Sequence, residues 1–216
     1  MNGKTDTHRE TEVKLAIKDL PGLLEKLRVL GIKPRTRVLE SNTLFDTDDS
    51  DLHNRGRLLR LRIETPAPTS WAPGGLSRSV LTAKCPEAPS FRKGAAARYK
   101  HNMEREVVLQ PPKTGRCSAK RTLVDRGWPF ALGCLGLRSK FRYEKYRTAF
   151  QANGLQLDMD ETPVGTFLEL EGTPEAIDRV ARDLDFTSND YMRATYYDIY
   201  ALAQRKKGRP VRNMLF

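Results

Sequence analysis

The chain has 216 residues, with 38 Lys+Arg against 27 Asp+Glu and a formal net charge of +11. That length fits one large domain or two small ones, and the basic excess favours anionic partners (nucleotides, polyphosphate, nucleic acid, an acidic membrane surface) without choosing among them. Three cysteines, Cys85, Cys117 and Cys134, are odd in number and form no CxxC pair, which argues against a disulfide framework or a structural zinc site and makes a reducing cytosol the expected compartment.

In chain order, the opening MNGKTDTHRE lacks the apolar core of a signal peptide, and no apolar run is long enough to cross a bilayer. A cytoplasmic protein without a membrane partner is therefore expected. His8, His53 and His101 have no ligand-like spacing and read as surface residues. Residues 9–17 read as a strand. A helix follows, with Asp19 as N-cap, Pro21 in the first turn, Leu20, Leu23, Leu24, Leu27 and Leu30 as an apolar stripe, and Gly31 as its stop.

Arg37 to Asp46 and Leu58 to Glu64 are predicted strands joined by a loop rich in Asp and Gly. Thr65 to Ser79 reads as a Pro- and Gly-rich insertion between strands, with Trp71 an exposed loop aromatic. Val80 to Lys84 and Met103 to Leu109 are strands, and Ser118 to Leu135 is predicted helical in two pieces broken near Gly127 and Pro129. Phe141 to Phe150, Leu155 to Asp160 and Thr166 to Glu171 are strands. Thr173-Pro174-Glu175 opens a helix whose apolar face is Ile177, Val180, Ala181 and Leu184. A last helix is predicted from about Asp190 to Lys206, followed by a basic C-terminal tail over 206–216 whose run from Arg205 to Pro210 reads as solvated and frayed. The pattern predicts one α+β domain over 1–205, dominated by antiparallel strands, with the Tyr191, Tyr196, Tyr197 and Tyr200 rings as helix packing.

Charged residues recur at i, i+2 on these strands. They are Glu10, Glu12 and Lys14; Arg60 and Arg62; Glu104 and Glu106; Lys145 and Arg147; Asp158 and Asp160; and Glu169 and Glu171. Side chains two apart on a strand share a face. One such pair fits a solvated sheet face. Six pairs, sorted into acidic strands and basic strands, fit that reading poorly. The alternative is an inverted barrel, its charged faces turned into a wet lumen and its apolar faces covered by the Leu23/Leu27 and Ile177/Val180 helices. A closed sheet of about eight strands leaves room for one small ligand. Burying so many charges is costly unless they pair or bind ions. Carboxylates suit a hard divalent cation that bridges to phosphates, and Arg and Lys clamp phosphate oxygens.

These residues resemble a known family. Glu10-x-Glu12-x-Lys14 is similar to the ExExK signature of the CYTH superfamily, the triphosphate tunnel metalloenzymes. The likeness continues in order through Asn42-Thr43-Leu44-Phe45-Asp46-Thr47, Leu59-Arg60-Leu61-Arg62, Leu81-Thr82-Ala83-Lys84, Glu104-Arg105-Glu106, Lys145-Tyr146-Arg147, Leu157-Asp158 and Gly165-Thr166-Phe167-Leu168-Glu169-Leu170-Glu171. Thr195-Tyr196 stands where the family usually has Ser-Tyr.

The resemblance implies an eight-stranded antiparallel closed barrel with flanking helices. It also implies a small-molecule triphosphate as the partner and a divalent cofactor, Mg²⁺ or Mn²⁺. Carried over by position, Glu10, Glu12, Asp158, Glu169 and Glu171 would hold metal. Lys14, Arg60, Arg62, Lys84, Lys145 and Arg147 would grip phosphates, with Arg193 a looser match. Glu106, or Glu104 in the other register, is a further tunnel acid. Glu10, Glu12, Lys14, Arg60 and Arg62 form the expected catalytic set. The expected reaction is metal-dependent hydrolysis of a triphosphate (inorganic, thiamine or nucleoside). A class IV adenylate cyclase is the alternative within the fold, and a non-catalytic polyanion-binding module the alternative outside it. Nucleic acid is not the expected partner, because a pure polyanion binder has little use for inward carboxylates. Monomer and homodimer both remain open.

Overall fold

Alternation of charged and apolar residues along the strands becomes alternation of inside and outside in the fold. The computed structural model describes residues 7–71, 76–86, 98–109, 127–152 and 154–216. Eight strands run in chain order: β1 (Thr7–Ile17), β2 (Pro34–Asp46), β3 (Leu58–Pro66), β4 (Arg78–Pro86), β5 (Lys100–Leu109), β6 (Arg138–Ala152), β7 (Leu155–Thr162) and β8 (Gly165–Glu171). All neighbours are antiparallel, and the sheet closes into a barrel in the order β1-β5-β4-β3-β2-β6-β7-β8.

Outward-facing residues build the main core. Val13, Leu15, Leu155, Leu157, Met159, Leu168 and Leu170 pack against α1 (Leu20–Val29) through Leu23 and Leu27. They also pack against α4 (Pro174–Asp183) through Ile177, Val180 and Ala181. Both helices begin as the sequence predicts. Asp19 accepts the Gly22 N–H and Thr173 accepts the Ala176 N–H, each with a Pro in the first turn. Gly31 ends α1 at φ +71°, a left-handed conformation that glycine adopts without strain. A short helix, α2 (Asp51–Asn54), forms inside the Asp-rich loop. The Asp46 carboxylate accepts the backbone N–H groups of Thr47, Leu52 and His53 there and fixes the turn.

Of the helical stretch expected before β6, the structure describes the second piece, α3 (Trp128–Cys134), with Pro129 in its first turn, where a proline is tolerated; the first piece, 118–126, lies outside the described residues. The last helix, α5, starts at Tyr196 and not near Asp190. A capping box between Thr195 and Asp198 starts the helix there, and the preceding Met192 gives its backbone hydrogen bonds to Lys14 of β1.

The tail after α5 is not frayed. β7 pairs with β6 only from Tyr146 onward, which leaves an edge of β6 open near Arg142 and Glu144. Met214 fills that edge, donating to the Arg142 carbonyl and accepting from the Glu144 N–H at 2.9 Å each, and its side chain is 1% exposed. Lys206 to Pro210 remain exposed. Among the described residues no helix is long and apolar enough to cross a membrane. Cys85 and Cys134 are free and exposed, and Trp71 is 42% exposed.

Candidate active site

The barrel encloses a cavity of about 450 Å³. Its lining follows strand parity: Glu10, Glu12 and Lys14 of β1, Glu40 of β2, Arg60, Arg62 and Glu64 of β3, and Arg78 and Lys84 of β4. β5 adds Lys100, Glu104 and Glu106, β6 adds Tyr143, Lys145 and Arg147, and β7 and β8 add Asp158, Glu169 and Glu171. The register explains the convergence, since Glu12 stands opposite Glu171, Lys14 opposite Glu169, and Asp158 opposite Glu169 on the next strand pair. Every site residue expected from the sequence therefore reaches the cavity except Arg193, which is exposed and absent from the lining. The segment before α5 turns Thr195 and Tyr196 inward instead.

One wall gathers acids around Lys84. Its Nζ lies 2.6 Å from Glu10 and 2.9 Å from Glu104, while Lys100 binds Glu12 at 2.6 Å and Asn102 donates to Glu10. Burial alone would raise Glu10, but Lys84 outweighs it and holds the carboxyl below its ordinary value. For Glu171 the balance runs the other way. Burial and the neighbouring Glu10, Glu12 and Glu104 push it up to about 8 against the pull of Lys84.

The opposite wall gathers cations. Arg147 binds Asp158 and Asp160 at 2.7 Å and also pairs with Glu169, which Lys14 binds at 2.8 Å. Lys145, 1% exposed, binds Asp160 at 2.6 Å. The fully buried Glu40 lies between Arg62 at 3.1 Å and Lys145 at 3.5 Å. Burial would raise the Glu40 carboxyl, yet Arg62, Lys145 and Arg147 hold it far below the usual carboxylate range. Burial raises Asp158, and Asp160 and Glu169 keep it raised despite Arg147.

Arg60, which interacts with Tyr143, makes longer ion pairs than these. It donates to Thr82 at 3.2 Å, stands 3.8 and 3.7 Å from Glu104 and Glu106, and keeps a buried Nε with no hydrogen-bond partner. Buried donors are nearly always satisfied, which makes this Nε an exception on the cavity wall.

Among the described residues, eight Lys/Arg and nine Asp/Glu line the cavity, so this lining does not share the basic excess of the chain. A triphosphate brings about four more negative charges near neutral pH. The acidic wall, with Glu171 raised by burial and by the neighbouring carboxylates, has the donor chemistry of a divalent-cation site. Among the described residues, however, no three His, Cys, Asp or Glu side chains stand together as a ready ligand set. Most of the expected ligands are turned to cations: Glu10 to Lys84, Glu12 to Lys100, Glu169 to Lys14 and Arg147, and Asp158 to Arg147.

A second cavity of about 490 Å³ shares Lys84, Lys100, Tyr143 and Tyr196 with the first. Its walls are largely apolar or aromatic, including Leu44, Phe45, His53, Phe141 and Tyr197. The sequence reading did not single out Glu40, Glu64, Lys100 or Tyr143, and it placed Tyr196 in helix packing. Strand parity extended from Glu104 to Lys100 and from Lys145 to Tyr143 carries the missing signal.

Three solved structures illustrate the likeness in fold. A candidate adenylate cyclase from Vibrio parahaemolyticus superposes with TM-score 0.66 at 19% identity, covering 90% of this chain and 98% of that one. A Pyrococcus horikoshii protein gives 0.62 at 20%, covering 91% and 99%. A candidate adenylyl cyclase from Hippeastrum, with a dominant triphosphatase activity, gives 0.53 at 20%, covering 94% and 97%. No match was found among curated proteins. The CYTH domain model matches residues 8–196, nearly the whole barrel and its capping segment, and the chain belongs to the CYTH family.

Proposed function

We propose that the chain hydrolyses a triphosphate-containing small molecule with a divalent cation, Mg²⁺ or Mn²⁺. The observation that carries this reading is the closed cavity in which Arg60, Arg62, Lys14 and Lys84 face inward beside the Glu10, Glu12 and Glu171 carboxylates. Phosphoryl transfer asks for positioning and charge neutralisation more than for covalent chemistry. No nucleophilic Ser or Cys lines the cavity among the described residues.

Arg60 and Arg62 come from one strand and project from the same face, so they grip successive phosphoryl groups as planar forks. Lys14 and Lys84 approach from other strands and offset charge in a partly dehydrated space, where Coulomb terms are stronger. A divalent cation held by Glu10, Glu12, Glu169 and Glu171, with Asp158 beside them, would neutralise phosphate charge and polarise the attacking water. The carboxylates of that wall also stand within the cavity to take the water's proton.

The second cavity favours an organic triphosphate over tripolyphosphate alone. Its aromatic and apolar walls meet the phosphate-gripping wall at Lys84 and Lys100, so a base or ring can sit there while the chain of phosphates enters the barrel. The same observation supports the cyclase reading as runner-up, in which a ribose hydroxyl attacks the α-phosphate and pyrophosphate leaves. The experiment is a product panel over tripolyphosphate, thiamine triphosphate and ATP with Mg²⁺ or Mn²⁺. Orthophosphate release supports hydrolysis. Cyclic AMP with pyrophosphate from ATP replaces it by the cyclase reading.

A further inference from the structure

Tyr196 is the first residue of α5, is 6% exposed, and lines the cavity. Its ring centroid lies 4.5 Å from the Lys14 ammonium and 4.8 Å from the Lys145 ammonium. Its hydroxyl donates to Asp160 Oδ2 at 2.6 Å, the same oxygen that accepts from Lys145 at 2.6 Å and from Arg147 at 2.7 Å. We propose that Tyr196 is a positioning residue that aims the Lys14 and Lys145 ammoniums through its ring face while its hydroxyl is anchored on Asp160. The proposal rests on the reading of the barrel as a triphosphate site and adds a residue to it.

The ring is fixed from several sides. Lys14 N–H donates to the Met192 carbonyl at 3.1 Å and Met192 N–H to the Lys14 carbonyl at 2.9 Å, which ties the approach to α5 to the residue the ring faces. The Thr195/Asp198 capping box then sets where the helix begins. Phe167 meets the ring edge-on at 5.7 Å between centroids, and Tyr143 flanks it at 5.9 Å. Swinging this ring away would break its hydrogen bond to Asp160 and its packing on Phe167 and Tyr143.

The chemistry gives this position a use beyond packing. A lysine ammonium is a compact charge on a flexible four-carbon stem, so its direction must come from its surroundings. An aromatic face attracts a cation but offers no acceptor lone pair to compete with a phosphate oxygen. Glu169 and Asp160 fix these two ammoniums from one side, and the ring supplies the third contact without adding negative charge. Burial and then Asp160 and Glu169 raise the phenol far above its ordinary value, so the hydroxyl stays a donor across the working pH range.

The test replaces Tyr196 by phenylalanine and by mono-, di- and trifluorinated phenylalanine, which drains the ring face of negative potential at nearly constant shape. The probe is the non-hydrolysable bismethylene analogue of tripolyphosphate with Mg²⁺, titrated calorimetrically, and each protein is also melted. Tyr196→Phe is expected within about threefold of the unsubstituted chain, and Kd to rise stepwise to about tenfold at the trifluoro ring with an unchanged Tm. A flat Kd across the fluorinated series overturns the proposal and leaves a packing role. No binding by the unsubstituted chain of either this probe or the corresponding bismethylene analogue of ATP overturns the triphosphate reading itself, and this one with it.

Discussion

Arg60 keeps a buried Nε without a hydrogen-bond partner, Glu171 is buried among other carboxylates, and both lie on the cavity wall. Arg60 keeps an unpartnered Nε and ion pairs of 3.7 Å or longer, and on the proposed reading its removal takes a bidentate donor from the phosphates. Arg60→Ala is expected to lower kcat/KM by about 10²–10³-fold in protein shown to be folded by its melting curve, measured on the same preparation. Glu171 carries the opposite defect, an excess of neighbouring carboxylates. Its folded value of about 8 exceeds its ordinary value of 4.5, so the metal-free native state binds the extra proton. That contribution to stability is fully present below about pH 4.5 and is lost as pH rises through 8. Glu171→Gln is therefore expected to match the unsubstituted, metal-free chain in thermal stability at pH 4.5 and to exceed it increasingly towards pH 9. A constant difference across that range would contradict the assignment.

At the scale of elements, one rule of alternation divides the work. The outer residues of β1, β7 and β8 form the core with α1 and α4, and the inner residues form the site. Ile177 is fully buried on α4 against that core. Ile177→Ala should cost about 2–5 kcal/mol in urea denaturation and leave the inward charges in place. The C-terminal segment is a second structural element. It completes the open edge of β6 through Met214, directly behind the inward Tyr143 and Lys145. Truncation after Gly208 is expected to lower Tm and to raise proteolysis at β6. Unchanged stability would mean that the edge pairing contributes nothing.

Most of these elements were legible in the sequence because their signals are local. A period of two, Asp19 and Thr173 as caps, and Gly31 as a stop are each set within a few residues. The beginning of α5 was not, because Met192 leaves the helix to pair with Lys14, 178 positions away, and no local pattern reports a bridge of that range. The tail fails for the same reason, since its basic residues read as solvated while the docking residue, Met214, is one apolar side chain.

Across the whole molecule, the net charge of +11 proved a poor guide to the site. Among the described residues, nine acids and eight bases line the cavity, so this lining does not share the basic excess of the chain. Within the site, like-charged pairs such as Arg60 and Arg62 were legible. Mixed positions such as Glu40, Lys100 and Tyr143 were not, because each shares its face with a residue of different charge or none. The balance also bears on mechanism. On the proposed reading, an incoming polyanion meets a lining without an excess of bases and would bring cations with it or displace the pairs that bind Glu10, Glu12 and Glu169. A divalent cation would do both at once, which would tie its role to the substrate's charge. The most direct test is phosphate release from a triphosphate by the unsubstituted chain and by Glu12→Ala, each with Mg²⁺ or Mn²⁺ and then with EDTA. Release that requires the metal and disappears in folded Glu12→Ala is the predicted result. Release that persists in EDTA, or that Glu12→Ala leaves unchanged, would contradict it.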